Sequence, residues 1–473
     1  MAAPLVVTRC CRFRRYIHKY RRFLRFYGSE NIPKKGIVLG VYENSTKEES
    51  NAILTPAAES FNKRTDGRLA ELLNISGPKM KKGKSKVFYG LDKEYPVIAV
   101  VSLGKQSAGI DELEEVNESK ENIRAASALG ARQLRDAGMK QIELDPCTDA
   151  QAVAEGATLG LFTFDELKEE SKRKPKVNLS LHGNRNRTKD WIENQKMNAF
   201  LSVSKGSSQP PVFLEMKYMG GVHDSKPLVL VGKGVTFDCG GISIKPSAQM
   251  DLMRGDMGGA AVVTASMAAI ATLQLPINVV TLVPLCENMV NGEATRPGDV
   301  VTAMNGKTIQ VDNTDAEGRL LLADALHYGC SVHKPEVIIN VATLTGAIQV
   351  ALGSAVSAVF TNSNNLWMNL HKAGIDTGDR LWRMPLLQHY TKQISDSQLA
   401  DVNNIGKSAR DGGACTAAAF LREFVTCQNW AHLDVAGVML NKDEVPYLGN
   451  GMTGRPTRTL VEYVSNLSKK TTV

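Results

Sequence analysis

Residues 228–241 read Leu-Val-Leu-Val-Gly-Lys-Gly-Val-Thr-Phe-Asp-Cys-Gly-Gly, an unbroken apolar run that passes straight into a glycine-rich loop. An apolar run without alternation fits a strand buried on both faces, the habit of parallel sheets covered by helices. The same texture recurs at Val279–Leu285, Val337–Val341, Ala355–Phe360 and Leu433–Val438, with Ala-rich helical stretches at Gly259–Leu273, Arg319–Tyr328 and Ala414–Val425. Strands alternating with helices predict an α/β catalytic domain over 191–473, its mostly parallel sheet flanked by helices. Upstream, Gly36–Tyr42 and Pro96–Leu103 predict short strands and Lys120–Ala137 a helix, which makes residues 30–170 a small N-terminal α/β domain. The dense charge run Lys168–Lys176 and the Asn- and Arg-rich text that follows predict a linker over 171–190.

The net charge of +8 is local rather than general. Eight of the 57 basic residues (Arg9, Arg12, Arg14, Arg15, Lys19, Arg21, Arg22, Arg25) precede the first acidic residue, Glu30; setting them aside leaves 49 basic against 49 acidic. A neutral body argues against nucleic acid as a partner. The arm over residues 1–28 reads either as a mitochondrial transit peptide or as a solvated extension. Eight scattered cysteines without a C-x-x-C pair fit reduced thiols rather than a disulfide framework. The run Gly258–Pro276 is too rich in Ala, Gly and Thr, with Ser266 and Gln274 inside it, for a membrane span.

Two clusters carry chemistry. The first holds Lys233, Asp238, Ser243 and Lys245 in the glycine-rich loop, with Met253 and Asp256 just beyond. It starts where a strand ends, the place where parallel α/β sheets bind ligands. The second follows a hairpin signal, Val300–Met304 and Lys307–Val311 around Asn305-Gly306, and places Asp312, Asp315, Glu317 and Arg319 ahead of an apolar helix. Crowded carboxylates repel unless cations hold them. Asp238, Asp256, Asp315 and Glu317 suffice to bridge two divalent ions, whose shared water becomes a nucleophile near neutral pH. A lysine there either keeps its charge and polarises a carbonyl or ligates through neutral nitrogen. Two lesser matches fail on context. Gly449–Gly454 fits a dinucleotide fingerprint with no strand before it, and Asn313–Asp324 approximates a calcium loop without its entering helix or closing Glu.

With these residues in view, the chain resembles the leucine aminopeptidases of the cytosol aminopeptidase family. Their signature Asn-Thr-Asp-Ala-Glu-Gly-Arg-Leu stands unbroken at Asn313–Leu320, and further matching runs lie at Asn340–Ala347, Trp382–Leu386 and Gly454–Arg458. The similarity spans most of 30–180 and nearly all of 190–465. The resemblance implies that Lys233, Asp238, Asp256 and Glu317 ligate one metal and Asp238, Asp315 and Glu317 the other. The ions it implies are zinc, with manganese or magnesium at one site. It further implies that Lys245 stabilises a gem-diolate and that Arg319 holds a bicarbonate which relays a proton. Ser243, Met253, Thr343, Leu344 and Gly346 would line the substrate site beside Lys233, Asp238, Lys245 and Asp315, with Ala436 and Met439 at the side-chain pocket. Peptide substrates, a cytoplasmic location and a hexamer are implied as well. One departure stands out: family members carry several tens of residues before the counterpart of Trp191–Phe200, where this chain passes almost directly from Leu181–Asn184 to Thr188–Trp191. That gap keeps open the alternative of a catalytically impaired isoform; the resemblance also includes DNA-binding bacterial members, an alternative that the neutral body opposes.

Overall fold

The computed structural model describes residues 35–43, 52–76, 79–162, 185–223, 225–408, 411–441 and 445–471; the basic arm at 1–28 and most of the expected linker lie outside them. The chain divides into two units, one holding residues up to Asn178 together with Lys442–Asn450, the other Leu179–Asn441 with Gly451–Val473.

In the first unit the strands Lys35–Glu43 and Val97–Lys105 run parallel, with Val38 opposite Ala99. Gln141–Leu144 joins Lys35–Glu43 in parallel, and Ser85–Tyr89 pairs antiparallel with Val97–Lys105. Side chains alternate between faces along a strand. Val38, Ala99 and Val101 therefore enter one core with residues of the helices Glu118–Asp136 and Ala150–Leu161, while Leu39, Ile98 and Val100 enter another with Phe61 and Leu69. The long helix begins where the Asn117 side chain accepts the Lys120 N–H. Gly156 lets the two helices close: a Cβ there would stand 2.2 Å from the Arg124 carbonyl oxygen. The segment Lys442–Asn450 belongs to this unit although the sequence places it deep in the catalytic half. Tyr447 hydroxyl donates to Glu121 at 3.0 Å and Arg132 Nη1 to the Pro446 carbonyl at 2.8 Å.

The second unit carries a nine-stranded sheet. Its order runs Leu381–Arg383, Ser357–Thr361, Trp430–Asp434, Val337–Ala342, Leu228–Gly232, Asn278–Asn288, Val212–Met219, Arg185–Arg187, with Gly234–Asp238 also pairing to Asn278–Asn288. Five of its eight strand pairings are parallel. Alternate residues of the central strands feed two cores. Val229, Val231, Ile338 and Trp430 meet Leu320–Leu326 of the helix Gly318–His333; Leu228, Leu230, Ile339 and Ala431 meet Val262 and Val263 of Gly258–Thr272 and Leu460 of Thr457–Thr471. The sheet is thus covered on both faces, as its unbroken apolar runs require.

Two sequence expectations change. Ser357–Thr361 pairs antiparallel with Trp430–Asp434, a direction that apolar composition does not encode. The end of the expected linker is structured: Arg185–Arg187 adds an antiparallel edge strand and Lys189–Asn194 a helix. Aromatic packing overrides the polar text there. Trp191 lies 5.6 Å from Phe213 and 5.5 Å from Tyr328 between ring centroids, with the Arg187 guanidinium 4.9 Å above the indole.

Candidate metal centre

The site collects at the C-terminal ends of neighbouring strands. Lys233 follows Leu228–Gly232, Asp238 ends Gly234–Asp238, and Thr343 follows Val337–Ala342. Asp315 and Glu317 arrive through the hairpin Asp299–Thr302/Thr308–Val311, which turns at Gly306 with φ +87°. Glu317 then stands immediately before the helix Gly318–His333, where the unpaired N–H groups of the first turn favour negative charge.

Carboxylate oxygens of Asp238, Asp315 and Glu317 all lie within 4.8 Å of one another. Lys245 Nζ bridges Asp238 at 2.8 Å and Asp315 at 2.5 Å. Lys233 Nζ bridges Asp256 and Glu317, each at 2.8 Å, and donates to the Thr343 carbonyl at 3.0 Å. Four carboxylates and two ammonium groups thus share a site in which Asp238, Asp256, Glu317 and Lys233 are buried. Burial, with Asp238 beside it, pushes the Glu317 carboxyl well above its ordinary range. Burial raises Asp256 too, against the pull of Lys233, and raises Asp315. Both lysines are buried against their charge, yet the surrounding carboxylates hold them protonated. A donor set with this excess of buried, closely spaced oxygen fits hard or borderline divalent cations, which relieve such repulsion.

Glycine is required at two points. A Cβ on Gly318 would stand 2.4 Å from Lys233 Cε, and one on Gly240, at φ +91°, 2.9 Å from Asp315 Oδ1. Ser243 is tied to the second cluster: its N–H donates to Thr314 Oγ1 at 2.8 Å, and its Oγ accepts the Thr314 N–H at 3.2 Å. Thr343 Oγ1 donates to Asp256 at 2.6 Å. Leu344 N–H donates to Asp434 at 3.1 Å, and Gly346 opens the helix Gly346–Leu352 with its backbone exposed. Arg319 is buried and donates to the Asn404 carbonyl at 2.6 Å; burial lowers it to about 10. Ala436 packs against the Ile348–Phe360 cluster and donates its N–H to Asp434. Met253 lies in the short 3-10 turn Met250–Gly255, and the Met439 sulfur reaches the backbone of Gly255. Ala436, in the turn after Trp430–Asp434, and Gly346, at the start of its helix, show no hydrogen bond to the four carboxylates.

The sequence reading missed the groups that hold these residues in place. Asn288 is 4% exposed, and its Nδ2 donates to Asp238 at 2.8 Å and the Thr314 carbonyl at 3.1 Å, with Glu317 at 3.5 Å. In the sequence it is only an amide closing an apolar strand; strand pairing brings it opposite Asp238. Asp434 ends another and accepts Thr345 Oγ1 at 2.7 Å; burial lifts it to about 6. On the same strand, Trp430 Nε1 donates to Asn340 Oδ1 at 2.9 Å, which turns Asn340 Nδ2 towards His432 Nδ1 at 2.8 Å. Indole nitrogen can only donate, so His432 accepts at Nδ1 and carries its proton on Nε2. Burial and the Arg319 charge lower His432 to about 3, so it stays neutral.

A parallel α/β sheet with such a cluster at its strand ends defines the class of metal-dependent hydrolases. Comparison with known proteins narrows it. The cytosol aminopeptidase family's catalytic domain matches residues 161–461 and its N-terminal domain residues 38–171. The cytosol aminopeptidase of Xenopus tropicalis is 55% identical over 93% of this chain and 94% of its own length, and that of Homo sapiens 53% over 95% and 96%. Among solved structures, the bottromycin maturation enzyme BotP in complex with Mn superposes with TM-score 0.73 at 29% identity, covering 91% of this chain and 99% of that one. A tomato leucine aminopeptidase mutant superposes with TM-score 0.71 at 28% identity, covering 92% and 94%. The chain belongs to the cytosol aminopeptidase family, and its activity is that of a metal-dependent aminopeptidase.

Proposed function

We propose that this aminopeptidase binds two divalent ions and removes N-terminal residues with leucine-like side chains from peptides. The observation that carries the reading is the packing of Asp238, Asp315 and Glu317 within 4.8 Å, with Asp256 joined to Glu317 through Lys233. Lys233, Asp238, Asp256 and Glu317 would hold one ion and Asp238, Asp315 and Glu317 the other. The ions would supply Lewis acidity and lower the pKa of a shared water. Zinc suits a set of carboxylates with one amine, and manganese or magnesium suits the all-oxygen set. Lys245, partly buried between Asp238 and Asp315, would donate to an oxyanion developing beside them. Arg319, with one face spent on Asn404, is the residue for a small anion such as bicarbonate. Ser243, Met253, Thr343–Gly346, Ala436 and Met439 would line the substrate site.

Hydrolysis of leucyl amide by the purified protein, before and after chelation and with Zn²⁺ or Mn²⁺ restored, tests the reading. Elemental analysis should find two ions per chain. Asp315→Asn should lose at least one ion and nearly all activity, because an amide oxygen replaces a charged ligand poorly. Fewer than one ion under saturating metal would overturn the two-metal assignment.

A cytosolic location is the reading that the relatives' name supports; a fluorescent fusion of residues 1–28 distinguishes it from mitochondrial targeting. No described helix is long and apolar enough to cross a membrane. Assembly as a hexamer follows the resemblance and is checked by light scattering. We also propose that the segment before Trp191 is shortened relative to the family. Since 92% of 473 residues is about 435, the 488 positions aligned with the Bos taurus relative include about fifty with no residue of this chain. Restoring a family-type insert at Asn184 should raise stability and specific activity; equal values would show the segment dispensable.

A further inference from the structure

Three methionines converge on the turn that leads into Asp256. Gly255 is buried and lacks a side chain; the space its Cβ would take is filled by Met452, whose Cε and Sδ stand 2.4 and 2.9 Å from that position, and by Met439 Sδ at 3.0 Å. Met253 lies two residues before, in the same short turn. Backbone pairing fixes where Met452 starts. It lies opposite Leu440 in the small ribbon Leu440–Asn441/Gly451–Met452, and the next residue, Thr453, donates its N–H to the Met439 carbonyl at 3.0 Å and its Oγ1 to the Val438 carbonyl at 2.8 Å. The backbone is therefore pinned while the side chain is not: Met452 remains 46% exposed. The thioether has one side against Met439 and Gly255 and the other open to solvent. Methionine has three rotatable bonds and a polarisable sulfur, so it adapts to differently shaped apolar partners.

We propose that Met452 is a specificity-determining residue whose side chain closes the substrate side-chain pocket beside Met439 and sets how long a side chain that pocket admits. The inference rests on the reading that Met439 lines the pocket. Shortening Met452 opens the wall towards solvent without touching Asp256 or the lysines; a rigid, bulkier ring there fills space that a long substrate side chain needs. One methylene more or less in a hydrophobic pocket shifts discrimination by roughly 10–200-fold.

The test is the ratio of kcat/KM for L-phenylalanyl- over L-leucyl-p-nitroanilide, with L-alanyl-p-nitroanilide as the substrate too short to reach the wall. Met452→Ala should raise the ratio at least fivefold, Met452→Phe should lower it, and Met452→Leu should keep it within twofold. Metal content and Tm should stay near wild type in all three, and kcat/KM for the alanyl substrate should change less than for the other two. A ratio unmoved by Met452→Ala while Met439→Ala shifts it would overturn the proposal and keep the pocket reading. If neither variant moves the ratio, the pocket reading itself fails. An equal loss on all three substrates would assign Met452 a purely structural part and overturn the proposal as well.

Discussion

Asn288→Ala removes a neutral side chain that, beside the two lysines, ties the two clusters of the metal centre together. Its Nδ2 group donates to Asp238 at 2.8 Å and to the Thr314 carbonyl at 3.1 Å. A hydrogen bond to a carboxylate contributes roughly 1.5–3 kcal/mol and one to a carbonyl about 1 kcal/mol, and both acceptors are left buried. The loss should total about 2–4 kcal/mol of stability, a fall in Tm of roughly 5–10 °C. The effect on metal is separable. Removing a partner that orients a metal ligand weakens affinity by roughly 10–100-fold. Asp238 then loses one of the donors that orient it, and the Gly240 N–H at 2.9 Å remains its other donor at Oδ1. Calorimetric titration of the chelated protein with Zn²⁺ or Mn²⁺ reads the affinity, and a thermal melt reads the stability. Asn288→Asp is the informative control: it preserves shape but replaces a donor with a fifth carboxylate beside Asp238 and Glu317, so without metal it should melt below Asn288→Ala. Wild-type metal affinity in Asn288→Ala, with Tm within a degree of the parent, would refute the assignment of Asn288 as the strut between the clusters.

Lys245→Ala should cut kcat by roughly 10²–10³, the cost of losing one oxyanion donor, with metal content unchanged, whereas Lys233→Ala should reduce metal occupancy; elemental analysis beside steady-state kinetics separates them. Gly318→Ala should lower metal affinity without unfolding the helix, because the added methyl displaces Lys233, whose Cε lies 2.4 Å from its position; affinity equal to wild type would show that Lys233 moves aside freely. Asp324 should make stability fall with rising pH. Burial lifts it to about 7 from an ordinary 3.8, so between those values the folded chain holds a proton that the unfolded chain has released. That stabilising contribution is complete below about pH 4 and lost as pH rises through 7, and Asp324→Asn should flatten the decline in Tm from pH 5 to 8.

Periodicity and spacing carried the sheet and the four carboxylates, because an apolar run or an acidic cluster is a local property of the text. Direction was not local: nothing in Ser357–Thr361 states that it runs opposite to Trp430–Asp434. Polar composition at Arg185–Arg187 suggested a linker because its partners, Phe213 and Glu215, lie nearly thirty residues away. Asn288 and Asp434 were hidden for a related reason. A single amide or carboxyl after an apolar strand is ordinary, and its meaning appears only when neighbouring strands bring Asp238 and Thr345 beside it. Roles that depend on one side chain supporting another are written in three dimensions.

The return of Lys442–Asn450 to the first unit makes the chain's two halves inseparable by a single cut. An expression fragment ending near residue 162 would lack Tyr447 and Pro446, and with them one hydrogen-bond partner each of Glu121 and Arg132. A fragment starting near residue 191 would carry those nine residues with nothing of their own unit to fold against. Gene fusions, domain exchanges and truncations in this protein must therefore treat residues 442–450 as a loop grafted from elsewhere, and the small ribbon at its base as the splice point.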